Sequence, residues 1–140
     1  MKKDIYEINF ERLKKLGIIH DGKSAENQRL SSGGFMDIVV EKTYEDLPNN
    51  SEGYVLSLAH YYEQNGDLCS DPEMTIAIYP ELKRVEALSF QQAMPPVYQV
   101  VYPEPGKFAP RLKRDLNNFL KTWLNNLIKQ GHKSNTVKAA

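Results

Sequence analysis

With 140 residues, 41% of them apolar and 26% charged, the chain has the length and composition of one folded domain, well outside the range of disordered chains. Its longest apolar runs, such as Ile38-Val39-Val40, fall far short of the roughly 20 residues of a spanning helix, and Cys69 is its single cysteine, which excludes an intrachain disulfide and a cysteine-based zinc site. The 18 Lys and Arg balance 18 Asp and Glu unevenly: residues 107–140 hold eight cations against Asp115, so the remainder is acidic by the same margin.

The start, Met1-Lys2-Lys3-Asp4, runs straight into a mixed charged and apolar pattern without the apolar stretch of a signal peptide, and a cytoplasmic protein is expected. From Asp4 to Leu16, the residues Ile5, Ile8, Phe10, Leu13 and Leu16 recur at helical steps, which predicts an amphipathic helix ended by Gly17. Asp4 and Glu7 stand at capping-box spacing, with Asp in place of Ser or Thr. Residues 20–34 are polar, close on Ser31-Ser32-Gly33-Gly34, and are expected to form a loop.

Residues 35–41 and 54–62 are rich in β-branched and aromatic side chains and predict two paired strands, joined by a surface loop containing Pro48-Asn49-Asn50. On the second of them Tyr54, Leu56, Leu58, His60 and Tyr62 share the inward face, which leaves Val55, Ala59 and Tyr61 as an exposed patch on the other. A turn-rich stretch from Asn65-Gly66-Asp67 to Asp71-Pro72 precedes the alternating Met74, Ile76 and Ile78 of a third strand. Pro80-Glu81-Leu82-Lys83 leads to a fourth strand at 84–90.

Pro95, Pro96, Pro103, Pro105 and Pro110 then predict an extended crossover without regular pairing, with Tyr98 and Tyr102 beneath the final helix. That helix spans 110–130, where Leu112, Leu116, Leu120, Trp123, Leu124 and Leu127 form an apolar stripe; Pro110 suits its first turn and Gly131 its left-handed end. Residues 132–140 are expected to be a flexible tail to a single domain over 1–131. The fold class is α+β: a four-stranded antiparallel sheet with the N-terminal and long C-terminal helices packed on one face.

No two of His20, His60 and His132 stand at metal-ligand spacing, and Asp67, Asp71 and Glu73 depart from the EF-hand pattern, so neither a metal nor another cofactor is expected. His60 with Glu63 and Asp67 is a candidate acid–base site; the ordinary alternative is a hydrogen-bonded core histidine. Arg111, Arg114, Lys121 and Lys129 form a row along the helix face opposite the stripe, which is either a phosphate-binding surface for nucleic acid or a solvated face.

The blocks Gly34-Phe35-Met36-Asp37-Ile38-Val39-Val40-Glu41, Leu58-Ala59-His60-Tyr61-Tyr62-Glu63-Gln64-Asn65-Gly66-Asp67-Leu68, Tyr98-Gln99-Val100-Val101-Tyr102-Pro103 and Phe119-Leu120-Lys121-Thr122-Trp123-Leu124 resemble a family of small uncharacterised bacterial proteins found on phages and conjugative elements, over about residues 34–131. The Asp71-Pro72-Glu73-Met74 strand opening and the last helix also resemble a separate enterobacterial family of uncharacterised cytosolic proteins. The resemblance implies a setting of mobile DNA, where small accessory proteins often counter host defence, and carries no activity to any residue. Together these observations favour a non-enzymatic accessory protein that binds another protein through the uncovered sheet face or an edge strand, with Val55, Ala59 and Tyr61 as candidate contacts. Nucleic-acid binding and an enzyme centred on His60 are the alternatives.

Overall fold

The computed structural model describes residues 3–24, 26–48, 52–64, 66–93, 96–104 and 106–134, with 61–64 and 67–71 described by their backbone. Helix α1 (Ile5–Lys15) is followed by strands β1 (Asn27–Ser32), β2 (Phe35–Thr43), β3 (Tyr54–Gln64), β4 (Asp67–Tyr79), β5 (Arg84–Gln92) and β6 (Val97–Val100), then by helix α2 (Pro110–Gln130) and the short strand β7 (Lys133–Ser134). The sheet order is β6-β5-β4-β3-β2-β1-β7, every neighbouring pair antiparallel.

The α+β class, the two helices and the antiparallel sheet are as expected, but the sheet has seven strands and not four. Two of the additions, β6 and β7, are the edges of the sheet, and all three are too polar or too short to show a period. Strand β1 lies in the segment expected to be a loop; Gln28 and Leu30 are its inward pair, and Gly34, at φ 86°, turns the chain into β2. Strand β6 pairs with β5 despite the nearby prolines, because Val97-Tyr98-Gln99-Val100 is itself free of proline. The third, β7, falls where a tail was expected: Lys133 and Ser134 pair with β1, His132 and Ser134 are buried, and 135–140 lie outside the described residues.

Strands β3 and β4 are also longer than their apolar alternation indicates, so the stretch expected to be turn-rich is mostly ladder. Gly66, at φ 84°, occupies the tight connection. Pro72 is accommodated because the register slips between Ala59 and Tyr61: a bulge in β4 absorbs a residue that has no N–H for the ladder.

Both helices lie on one face of the sheet and pack on each other and on β5. The Asp4–Glu7 capping box closes the start of α1, and Gly131, at φ 86°, ends α2 with its N–H bonded to the Ile128 carbonyl 3.1 Å away. Between helices and sheet lies the main core, built from Phe10, Leu13, Leu120, Leu124, Leu58 and Ile76 among others. Two polar links cross it: Asn9 Nδ2 donates to the Asn117 carbonyl at 3.3 Å, and the Arg12 guanidinium donates to the Lys121 carbonyl at 2.7 Å. They set the helices in register where apolar contact alone is non-directional.

Candidate binding groove

The other face of the sheet carries a second, smaller cluster. Leu47, from the β2–β3 connection, folds over Val55 and Ala77, with Tyr79 and Leu88 against them. Val55 is therefore buried at 0% exposure, Ala59 is also buried at 1%, and the expectation of an exposed patch there does not hold; the side chain of Tyr61 lies outside the described residues. A connection too polar to read as core supplies the cover.

Beside this cluster runs a groove of about 930 Å³, within the usual range of roughly 300–1,000 Å³ for ligand sites. Its floor is β4 and β5, through Glu73, Thr75, Ser89 and Gln91; one wall is the β2–β3 connection with Glu45 and Asp46, and the other is β6 with the loop that follows it. On the floor the Thr75 and Ser89 hydroxyls are 2.5 Å apart, and Ser57 Oγ donates to Glu73 Oε2 at 3.3 Å. The far wall is aromatic. Tyr98 is 69% exposed and Phe108 51%, and Phe108 leans on Tyr102 with ring centroids 6.0 Å apart. Tyr98, expected beneath the final helix, lies instead on the opposite face, because it stands opposite Gln91 on the groove side of the β5–β6 ladder.

The loop wall is braced. The Val101 N–H donates to the Leu88 carbonyl at 2.9 Å, the Ala109 N–H returns to the Val101 carbonyl at 2.9 Å, and Gly106 adopts φ 79° between the bridged Glu104 and Lys107. Where β6 gives out, side chains from α2 and this loop take over the exposed edge of β5. Asn117 Oδ1 accepts the Ala87 N–H at 2.9 Å. The buried Glu86 carboxylate accepts from the Tyr79 hydroxyl at 3.1 Å and from the Tyr102 hydroxyl, and pairs with Lys113 Nζ at 3.2 Å. That ammonium also stands 5.1 Å from the centre of the Phe108 ring. Burial first, and then the Glu86 charge, push the Tyr79 and Tyr102 phenols well above their usual range.

His60 sits on the helix face of the sheet, away from the groove. Its Nδ1 donates to the Asp37 carbonyl at 3.0 Å and its Nε2 accepts from the Trp123 indole at 3.3 Å, an arrangement that selects the neutral ring. Burial lowers its pKa below the usual histidine value; the Asp37 bond opposes this, and nearby His132 adds to it. Both nitrogens are thus committed to structural bonds. The side chains of Glu63 and Asp67, named with it from the sequence, lie outside the described residues.

Arg111, Arg114 and Lys129 are exposed and Lys121 is half-buried, all on the α2 surface turned from the core. The groove was not foreseen. Its carboxylates and aromatics come from four separate segments, and the available signal was the clustering of prolines in the sequence around and after β6.

Among the described residues there is no group of three or more His, Cys, Asp or Glu placed to hold a metal ion, and no helix long and apolar enough to cross a membrane. The fold and groove define an α+β domain with a seven-stranded antiparallel sheet, a meander of β1 to β6 with β7 added beside β1, two helices on one face and an open cleft on the other. The chain belongs to the family described as a domain of unknown function, DUF6908, which it matches over residues 7–133. No curated protein and no solved structure matches it.

Proposed function

We propose that this protein is a non-enzymatic accessory protein that binds a segment of another protein in the groove on the outer face of the sheet. The observation that carries this reading is the pairing of exposed aromatics with hydrogen-bonding groups in one braced cleft: Tyr98 and Phe108 stand over the floor formed by Thr75, Ser89 and Gln91. Large rings held half-exposed by a rigid scaffold are what protein-recognition surfaces use as anchors. The setting we assign, a bacterial phage or conjugative element with a role against host defence, is supported by the resemblance of the blocks within 34–131. A cytoplasmic location accords with a single cysteine and no disulfide.

Site-specific crosslinking tests the reading. A photoreactive phenylalanine derivative replacing Tyr98 is expected to capture a discrete protein in the host cell, whereas the same group replacing exposed Lys15 on α1 is not. Equal adducts at both positions would remove the groove from consideration. The second reading, nucleic-acid binding, is favoured by the four cations that share one face of α2.

A further inference from the structure

The groove is electrically lopsided. Glu45, Asp46, Glu73 and Glu104 line it against Lys107 and Lys113. Both lysines are already neutralised, Lys107 by Glu104 at 3.5 Å and Lys113 by Glu86 at 3.2 Å. Glu45, Asp46 and Glu73 have no Lys or Arg partner among the described residues; Glu73 receives only the Ser57 hydroxyl. One wall and the adjoining floor thus present uncompensated negative charge, and the wall opposite presents the exposed Tyr98 and Phe108 rings. Low-dielectric walls concentrate the field of such charges within a cleft.

We infer that the occupant of the groove is an extended peptide segment bearing an arginine, whose guanidinium lies between the carboxylates of Glu45, Asp46 and Glu73 and the aromatic wall of Tyr98 and Phe108. This rests on the binding function proposed above and names its ligand chemistry. A planar guanidinium can meet a carboxylate through two donors while its face stacks on a ring, which a compact ammonium cannot do as well. The neutral floor groups Thr75, Ser89 and Gln91 suit the amide groups of a peptide backbone, and a groove about 930 Å³ in volume admits a segment and not a folded domain. Phosphate-bearing ligands are repelled by the same three carboxylates.

Immobilised capped hexapeptides, varied at one central position through Arg, Lys, Gln and Glu, are to be probed with the full chain. Capture is expected to favour Arg over Glu by about tenfold at low salt and to prefer Arg to Lys. The variant Glu45→Gln, Asp46→Asn, Glu73→Gln, checked for folding by circular dichroism, is expected to lose this preference while still capturing peptides, and Glu73→Gln alone to weaken it. Equal capture of Arg and Gln peptides, abolished by Tyr98→Ala with Phe108→Ala, would overturn the arginine and leave the groove function standing. Capture unchanged in both variants would remove the groove function and this inference together. Displacement of the Arg peptide by spermidine at equal concentration, or elution of the free chain at twice its mass through the groove face, would overturn the peptide as occupant.

Discussion

Trp123 donates its indole N–H to His60 Nε2 across 3.3 Å, and the two rings lie with centroids 5.6 Å apart, so the last helix and the third strand are joined by a bond that requires the histidine to be neutral. His60 therefore has a folded pKa below its unfolded value of about 6.5. The folded state binds fewer protons than the unfolded one, so this contribution is present above about pH 6.5 and is lost as pH falls through the lower folded value. Urea midpoints are expected to drop between pH 7.5 and pH 5, and His60→Gln to flatten that decline while costing about 1 kcal/mol at neutral pH. A ring titrating above pH 6.5 by NMR would contradict this.

Glu86 joins two strands, the groove wall and α2 through Tyr79, Tyr102 and Lys113. Glu86→Ala leaves a half-buried ammonium and two phenols without their acceptor and is expected to cost about 3 kcal/mol. Because both phenols are held above their ordinary range, their neutral form is favoured by folding, and stability falls as pH rises beyond about 10. Absorbance at 295 nm should show these two tyrosines ionising above the usual phenol range in the native protein, and earlier after Glu86→Gln.

Gly53 enters β3 at φ 151°, and a Cβ there would meet the Ile78 carbonyl oxygen at 2.1 Å and Leu47 Cδ1 at 3.0 Å. Backbone must shift to admit it, so Gly53→Ala is expected to lower stability by about 1–3 kcal/mol and to loosen the Leu47 cover beside the groove. Calorimetry measures the first effect, and faster amide exchange at Val55 the second.

Leu124 is fully buried in the core between α2 and the sheet. Leu124→Ala should cost about 2–5 kcal/mol in chemical denaturation, whereas Arg114→Ala on the exposed side of the same helix should stay within about 0.5 kcal/mol of the parent.

The basic row separates the two functional readings. Arg111, Arg114, Lys121 and Lys129 changed together to Glu should leave the fold intact, and binding of the parent chain to DNA or RNA is expected to be no tighter than the weak non-specific range of about 10⁻⁴–10⁻⁶ M. Submicromolar, salt-steep binding lost in the folded quadruple variant would give the function to this face.

Both helices were legible from periodicity because each has an apolar stripe bounded by end signals, the Asp4–Glu7 capping box at the start of α1, and Pro110 in the first turn and Gly131 at the end of α2. The central strands were legible because their inward residues, from Ile38 and Leu58 to Ile76 and Val85, alternate toward the helix-covered face. The peripheral strands escape such reading: Gln28 on β1 is buried yet polar, satisfied by the Ile18 carbonyl at 2.9 Å and by Ser134 Oγ at 2.5 Å, partners that only the closed fold supplies. The groove escapes for the same reason. Glu45, Glu73, Ser89, Tyr98 and Phe108 lie in segments with no local pattern in common, and antiparallel pairing brings them to one face. A short-range sequence pattern determines which residues must hide from water; which polar and aromatic residues then meet on the surface is decided by strand register, a long-range quantity that no local window contains.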